Sequence, residues 1–515
     1  MSEPTSNALS VEAAAARESI VQSFTLKGLY GYRDVSLSSE YASTILIAKN
    51  GAGKTTLLAA LYAFLTLKFS RLRDIPFKAI HCRLRGWPNE LVLTKEDLES
   101  FFDLSDPAFT IKGLQFHDVD PGAVFTYITE EYAKSGTYSP SQTENPIFSA
   151  IYRSTSYDFM RAREVIERTR QELFNRHAAI SSITSAINEC LGDTEIVYLP
   201  TYRRIELALQ RSKSESSKRA RSDGRNHALP SNDIQFGLGD IIDRLQRINE
   251  TILIDSNIGY REVSANIINE LIDGALDSEV EANRSIPNQE ELNLFFSRLA
   301  QAHHRGPYLD RVAIPNVDKI NQRQSQSGNS SSALNYFLNK LHTVIQKTQA
   351  TEAGIQDFID ACNRYLLTDD ASAHAYGTGD GEMLDSGSDW KALRLNRTNL
   401  NVSVQTAGRR ITLDALSSGE KQMISLFGKM YLYPNDKIVL IDEPELSLSI
   451  DWQRRILVDV IRLKQCRQLV AITHSPFVFD NELESFAQAL KIQIDPNAPL
   501  APYDEARLEE GDIDG

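Results

Sequence analysis

ILIAKNGAGKTTLLAALYAF (Ile45–Phe64) opens on a short apolar run, passes through a glycine-rich turn and continues with helical periodicity. Strand, loop and helix in that order are what a phosphate-binding loop requires. Asn50 leads into the turn, where Gly51, Ala52 and Gly53 let successive backbone N–H groups converge on a phosphate. Lys54 adds a positive charge, and Thr55, followed by Thr56, offers a hydroxyl to Mg2+. One position departs from the usual pattern, because the first glycine of the loop is Ala48 here. If that position needed a positive φ, the turn would be strained by about 1 kcal/mol.

Upstream, VQSFTLKGLYGYRDVSL (Val21–Leu37) alternates apolar and polar residues around glycines and predicts a β-hairpin. The partner motifs lie near the far end of the chain. In LSSGEKQMISLF, Ser417 and Glu420 have capping-box spacing, so a helix is expected to begin at Ser418 and Gly419 with N–H groups facing an anion. KIVLIDEP supplies an apolar strand, Ile438–Ile441, that delivers Asp442 and Glu443 at its C-terminal edge. Asp442 suits the Mg2+ shell, and Glu443 suits orientation of an attacking water. His474 ends the next apolar strand, Leu469–Ile472, where an imidazole can sense a γ-phosphate. Together these pieces predict one split ATP site with Mg2+ as its metal, its halves separated by most of the chain.

Between the halves the texture becomes helical. DFMRAREVIERTRQELFNRHAAISSITSAINECL, IIDRLQRINETIL, VSANIINELIDGAL and ALNYFLNKLHTVIQ place apolar residues at three- and four-residue spacing. No heptad register runs far enough for an extended coiled-coil arm, so a compact helical lobe is expected. The expected organisation is α/β: a nucleotide-binding head from residues 21–135 and 396–492, a helical insertion over 136–395 and an acidic tail over 493–515. RSKSESSKRARSDGRNHALPSND and NQRQSQSGNSSS read as loops.

Composition limits the partners. The 515 residues carry a net charge of −14 and are 42% hydrophobic and 24% charged, so any nucleic-acid contact must be regional. Two basic stretches, Leu67–Arg85 and residues 211–225, are the candidates for it, and solvated surface is the plainer reading of both. Arg203 and Arg204 could bring a guanidinium near phosphate or a partner carboxylate, and read at least as well as a helix-start surface pair. Four cysteines without a CxxC pair indicate a reducing compartment and no thiolate metal site. No apolar run approaches the roughly 18 residues of a membrane span, and no basic-then-apolar leader is present, so a cytoplasmic protein without a membrane partner is expected.

GAGKTT, LSSGE, LIDEPELSLS and THS together resemble the ATP-binding-cassette ATPases, in the branch containing Rad50, RecF and the OLD-type ATPases. That resemblance implies a head-to-tail homodimer, or a higher homo-oligomer, in which Ser417–Glu420 of one subunit meet ATP on Lys54 of the other. Ser447–Asp451 would form the D-loop across the interface. A narrower resemblance, carried by FTLKGLYGYRDVSL, FSRLRDIPFKAI, YLPTYRRIE and IQFGLGDIID, is to the PtuA ATPases of Septu and retron antiphage systems. It implies a separate HNH nuclease of the PtuB kind as partner and, in a retron, a reverse transcriptase with its DNA. Ala48 and Ser418 depart from the commoner glycines, and no Q-loop glutamine stands out. Some forty residues beyond His474 are too few for the Toprim nuclease of OLD proteins. The alternative is a DNA-repair or chromosome-maintenance ATPase that binds DNA directly; an ABC-transporter motor is disfavoured by the long insertion.

Overall fold

The computed structural model describes residues 10–49, 51–103, 120–132, 145–200, 238–272, 286–302, 315–324, 329–367, 390–406 and 409–496. The chain divides into two compact units, one of residues 1–231 with 435–515 and one of residues 232–434. This differs from the division read from sequence texture. It assigns 136–231 to the first unit and 396–434, including the LSSGE segment, to the second.

After a short helix at Val11–Ala15, the first unit contains β1 (Val21–Leu29), β2 (Arg33–Ser38), β3 (Ser43–Ile47), α1 (Lys54–Leu65), β4 (Ala79–Leu84) and β5 (Leu91–Thr94). It continues through α2 (Phe159–Arg176), α3 (Ala178–Leu191) and β6 (Glu195–Leu199). The second unit contains α4 (Leu238–Ile272), α5 (Gln289–Ala302), α6 (Asn329–Leu366), β7 (Lys391–Asn396), β8 (Asn401–Thr406), β9 (Arg409–Ile411) and α7 (Ser418–Tyr431). The chain then returns to the first unit with β10 (Lys437–Asp442), α8 (Ile450–Ile461), β11 (Cys466–Thr473), β12 (Ala487–Ala489) and β13 (Lys491–Ile494).

Two sheets build the first unit. The parallel sheet has the order β12-β3-β11-β10-β6. Its strands read as continuous apolar runs because both faces are covered, and every residue of β10 is buried. β6 pairs with β10 from Glu195–Lys437 to Leu199–Ile441, which is why IVYL belongs to the core despite its helical surroundings. The antiparallel sheet, β13-β2-β1-β4-β5, contains the expected hairpin as β1 and β2. Phe24 of β1 meets Phe64 of α1 edge to face at 5.7 Å, so the antiparallel sheet and the helix after the phosphate loop share one core.

A buried amide fastens the two sheets. Gln468 of β11 is fully buried; its Oε1 accepts from the Ile20 and Val21 N–H groups at 2.9 and 2.8 Å. Its Nε2 donates to the Val21 carbonyl at 3.0 Å and to Ser39 Oγ at 3.2 Å. An unpaired amide in this place would be costly, but here the donors and the acceptor are all used.

In the second unit, the periodic stretches IIDRLQRINETIL and VSANIINELI lie on one 35-residue helix, α4. α6 is longer still at 38 residues and packs along it. Phe295, Phe296 and Leu299 of α5 pack with Leu338, Leu341 and Ile345 of α6. α7 comes close to α4 at Gly428, where an added Cβ would lie 2.5 Å from Ile241 Cδ1. A buried ion pair, Arg298 with Glu352 at 2.8 Å, is completed by a bond from Arg298 Nε to the Arg397 carbonyl. No helix among the described residues is long and apolar enough to cross a membrane.

Candidate nucleotide site

Register in the parallel sheet gathers the motifs of the first unit. Ile47 pairs with Thr473 and Asp442 with Ile472, so the phosphate loop, the acidic pair and His474 all leave the same carboxyl edge. Open α/β sheets place their ligands at that edge.

The loop itself needs its glycines. Gly51 and Gly53 have φ of 75° and 87°, and Gly53 caps α1 without a side chain to consume the first helical N–H groups. Ala48 is not among the left-handed residues, so alanine there carries no backbone strain. Asn50 lies outside the described residues, as do Arg203, Arg204 and the 211–225 stretch. Ala52 is buried, and Thr56 faces the cavity described below.

Lys54 is buried, and its Nζ donates to Glu443 Oε1 at 2.9 Å and to His474 Nε2. An ammonium can only donate, so Lys54 is the donor in both contacts. Glu443 also lies 3.5 Å from His474 Nε2. Next to this group, Thr55 Oγ1 donates to Oδ2 of the fully buried Asp442 at 2.6 Å. Glu443 has a left-handed backbone with φ 53°, while its N–H still bonds the Ile472 carbonyl at 2.8 Å. The chain therefore turns sharply after β10.

A cavity of about 290 Å³ is lined by Tyr30, Arg33, Gly51, Gly53, Lys54, Thr55, Thr56 and Glu443. Tyr30 and Arg33 were not singled out by sequence reasoning. Arg33 Nη1 donates to the Gly51 carbonyl at 2.6 Å, and its guanidinium lies 5.1 Å from the Tyr30 ring and 5.2 Å from the Tyr32 ring. The aromatic–glycine run LYGYR was their only signal. Glu445 and Gln453 were missed too: Glu445 holds Thr473 and the His474 N–H, and Gln453 holds Ser475.

The donor set fits a magnesium nucleotide. Two left-handed glycines open the loop, a buried ammonium stands beside it, and a hydroxyl and a carboxylate oxygen, both hard ligands, lie together.

Ser417, Ser418, Gly419 and Glu420 open α7 in the second unit. The capping box forms: Glu420 N donates to Ser417 Oγ at 3.3 Å and Ser417 N to Glu420 Oε2 at 2.7 Å. Burial works against the Glu420 carboxylate, but bonds from Lys391 and Ser417 outweigh it and hold its pKa below the usual range. Between Ser447 and Asp451, Ser447 is left-handed at φ 65° and Ser449 caps α8.

The basic stretch Leu67–Arg85 is largely engaged within the first unit. Lys68 is buried against the Tyr62 ring, Arg71 lies over the same ring and Arg73 over Phe102, and Arg85 bonds the Ser19 carbonyl and pairs with Glu18. These contacts favour the surface-and-packing reading of that stretch over a nucleic-acid track.

A family model described as an AAA ATPase domain matches residues 20–479. Among solved structures, the Smc head domain of Pyrococcus furiosus with an extended coiled coil, bound to the C-terminal domain of ScpA, is 11% identical at a TM-score of 0.32. That match covers 92% of this chain and 96% of the other. An Smc head bound to the C-winged helix domain of ScpA is 11% identical at a TM-score of 0.30, covering 92% and 98%. No curated protein matches the chain.

Proposed function

This chain belongs to the AAA ATPase domain family, and on that premise we propose that it is the regulatory ATPase of an antiphage defence complex. ATP-dependent dimerisation of its head controls a separate HNH nuclease of the PtuB kind. The observation that supports a working ATP site is the convergence of Lys54, Thr55, Asp442, Glu443 and His474 at one sheet edge, across chain separations of 387 to 420 residues. The defence role is supported by the resemblance carried by FTLKGLYGYRDVSL and YLPTYRRIE.

Each side chain then has a task. The Gly51–Thr56 amides and Lys54 hold the phosphates, and Tyr30 and Arg33 close the mouth of the loop. Thr55 and Asp442 hold Mg2+, which when bound neutralises charge on the phosphate oxygens. Glu443 orients the attacking water, and His474 reports the γ-phosphate. Since Lys54 is ion-paired to Glu443, an incoming phosphate competes for the ammonium and frees the carboxylate for water. Ser417–Glu420 reach the nucleotide of a partner subunit.

Glu443→Gln protein with ATP and Mg2+ tests this reading. Hydrolysis is expected to stop while the mass in solution shifts to a dimer; wild-type turnover with no shift would sink it. Co-purification of the untagged protein from its native operon tests the partner. A small HNH protein supports the defence role, whereas salt-sensitive DNA binding without one supports a repair ATPase.

A further inference from the structure

We infer that Glu445 is a positioning residue for His474, joined by Gln453 in a clamp that makes the turn after β10 and the Thr473–Ser475 segment move as one piece. The inference rests on the proposed ATP site, because it assumes that His474 takes part in turnover.

Both oxygens of Glu445 are spent on the segment that carries His474. Oε2 accepts from Thr473 Oγ1 at 2.7 Å, and Oε1 accepts from the His474 backbone N–H at 2.7 Å. A bidentate carboxylate on a backbone N–H and a neighbouring hydroxyl fixes the main chain on which the imidazole is mounted. Gln453, at the start of α8, repeats the pattern one residue on. Its Oε1 accepts from Ser475 Oγ at 2.7 Å, while its Nε2 donates to the Leu448 carbonyl at 3.0 Å and the Glu445 carbonyl at 3.4 Å. The turn is closed internally by Leu446 N–H to the Glu443 carbonyl and Leu448 N–H to the Glu445 carbonyl. Glu443 is thus tied into the turn through the Leu446 N–H and Glu445 joins that turn to His474, while Glu443 and Ser447 of the same turn have left-handed backbones. Any shift of the Ser447 turn is carried through Glu445 to the histidine that touches Lys54.

A positioning role differs from a merely structural one in its chemistry. Glutamine at 445 keeps one carbonyl oxygen for the His474 N–H, and its amide can donate to the Thr473 hydroxyl, which can turn to accept. Alanine leaves both donors without that partner. The experiment is ATP turnover and nucleotide binding by wild type, Glu445→Ala, Glu445→Gln, His474→Ala and the Glu445→Ala/His474→Ala double variant, with thermal melting as the folding check. Glu445→Ala should lower kcat about tenfold or more with ATP affinity unchanged. Glu445→Gln should stay within about threefold of wild type, and the double variant should be no slower than His474→Ala. Multiplicative losses in the double variant, or equal loss in Glu445→Ala and Glu445→Gln, would overturn the clamp and leave the ATP site standing. Full activity of His474→Ala would overturn the role of His474 and the clamp together.

Discussion

Thr55 and Asp442 are 387 residues apart in the chain, yet the threonine hydroxyl donates to the buried carboxylate over 2.6 Å. In the proposed site that bond brings together the two oxygens that would hold Mg2+. Thr55→Ala and Asp442→Asn should each lower ATP turnover by about a hundredfold. Lys54→Ala should abolish binding of a fluorescent ATP analogue, because it removes the buried cation; binding at wild-type affinity would argue against this loop as the nucleotide site.

Gln468 makes a second, purely structural prediction. Replacing it with leucine strands the N–H groups of Ile20 and Val21 between the sheets. Loss of such a buried network should destabilise the first unit by about 3 kcal/mol. Urea unfolding followed at a residue of that unit would measure it, and an unchanged midpoint would count against the bridge.

Acid should loosen the helix that carries the LSSGE segment. The Glu420 carboxyl has its pKa lowered from 4.5, so its contribution is present above that value and is lost as pH falls through the lower, folded pKa. Wild type should therefore lose more stability between neutral and strongly acidic pH than Glu420→Gln does. Ser417→Ala, which removes the cap, should cost about 1 kcal/mol at neutral pH. Melting curves across that range decide both points.

The thiols can be counted from outside. Cys82, Cys362 and Cys466 are buried, and burial pushes all three pKa values up, that of Cys466 to about 12. Cys190 is partly exposed, with its pKa raised by burial and then by Glu189. An aromatic disulfide reagent should modify Cys190 alone in the native protein, faster as pH rises, and all four thiols in denaturant. Rapid native reaction of a second thiol would contradict this packing.

What was legible in the sequence follows from how local each signal is. β1, β2, β3, α1, β10 and β11 announce themselves by periodicity and by motifs that need only their neighbours. The capping box at Ser417 and Glu420 is equally local. IVYL at β6 is a locally legible strand too, but its place in the sheet comes only from pairing with β10, more than two hundred residues later. Glu445, Gln453 and Gln468 read as ordinary polar residues, since each acts through partners 22 to 448 residues away. Arg33 and Tyr30 belong to an exposed-looking turn that only the folded hairpin brings to the loop.

The left-handed backbone at Glu443 has a consequence for how the protein can change. Glycine would adopt that conformation without steric penalty, whereas glutamate there carries about 1 kcal/mol of strain. Selection for thermal robustness alone would not favour glutamate at this turn. Stabilising screens run without an activity readout should therefore drift away from glutamate there.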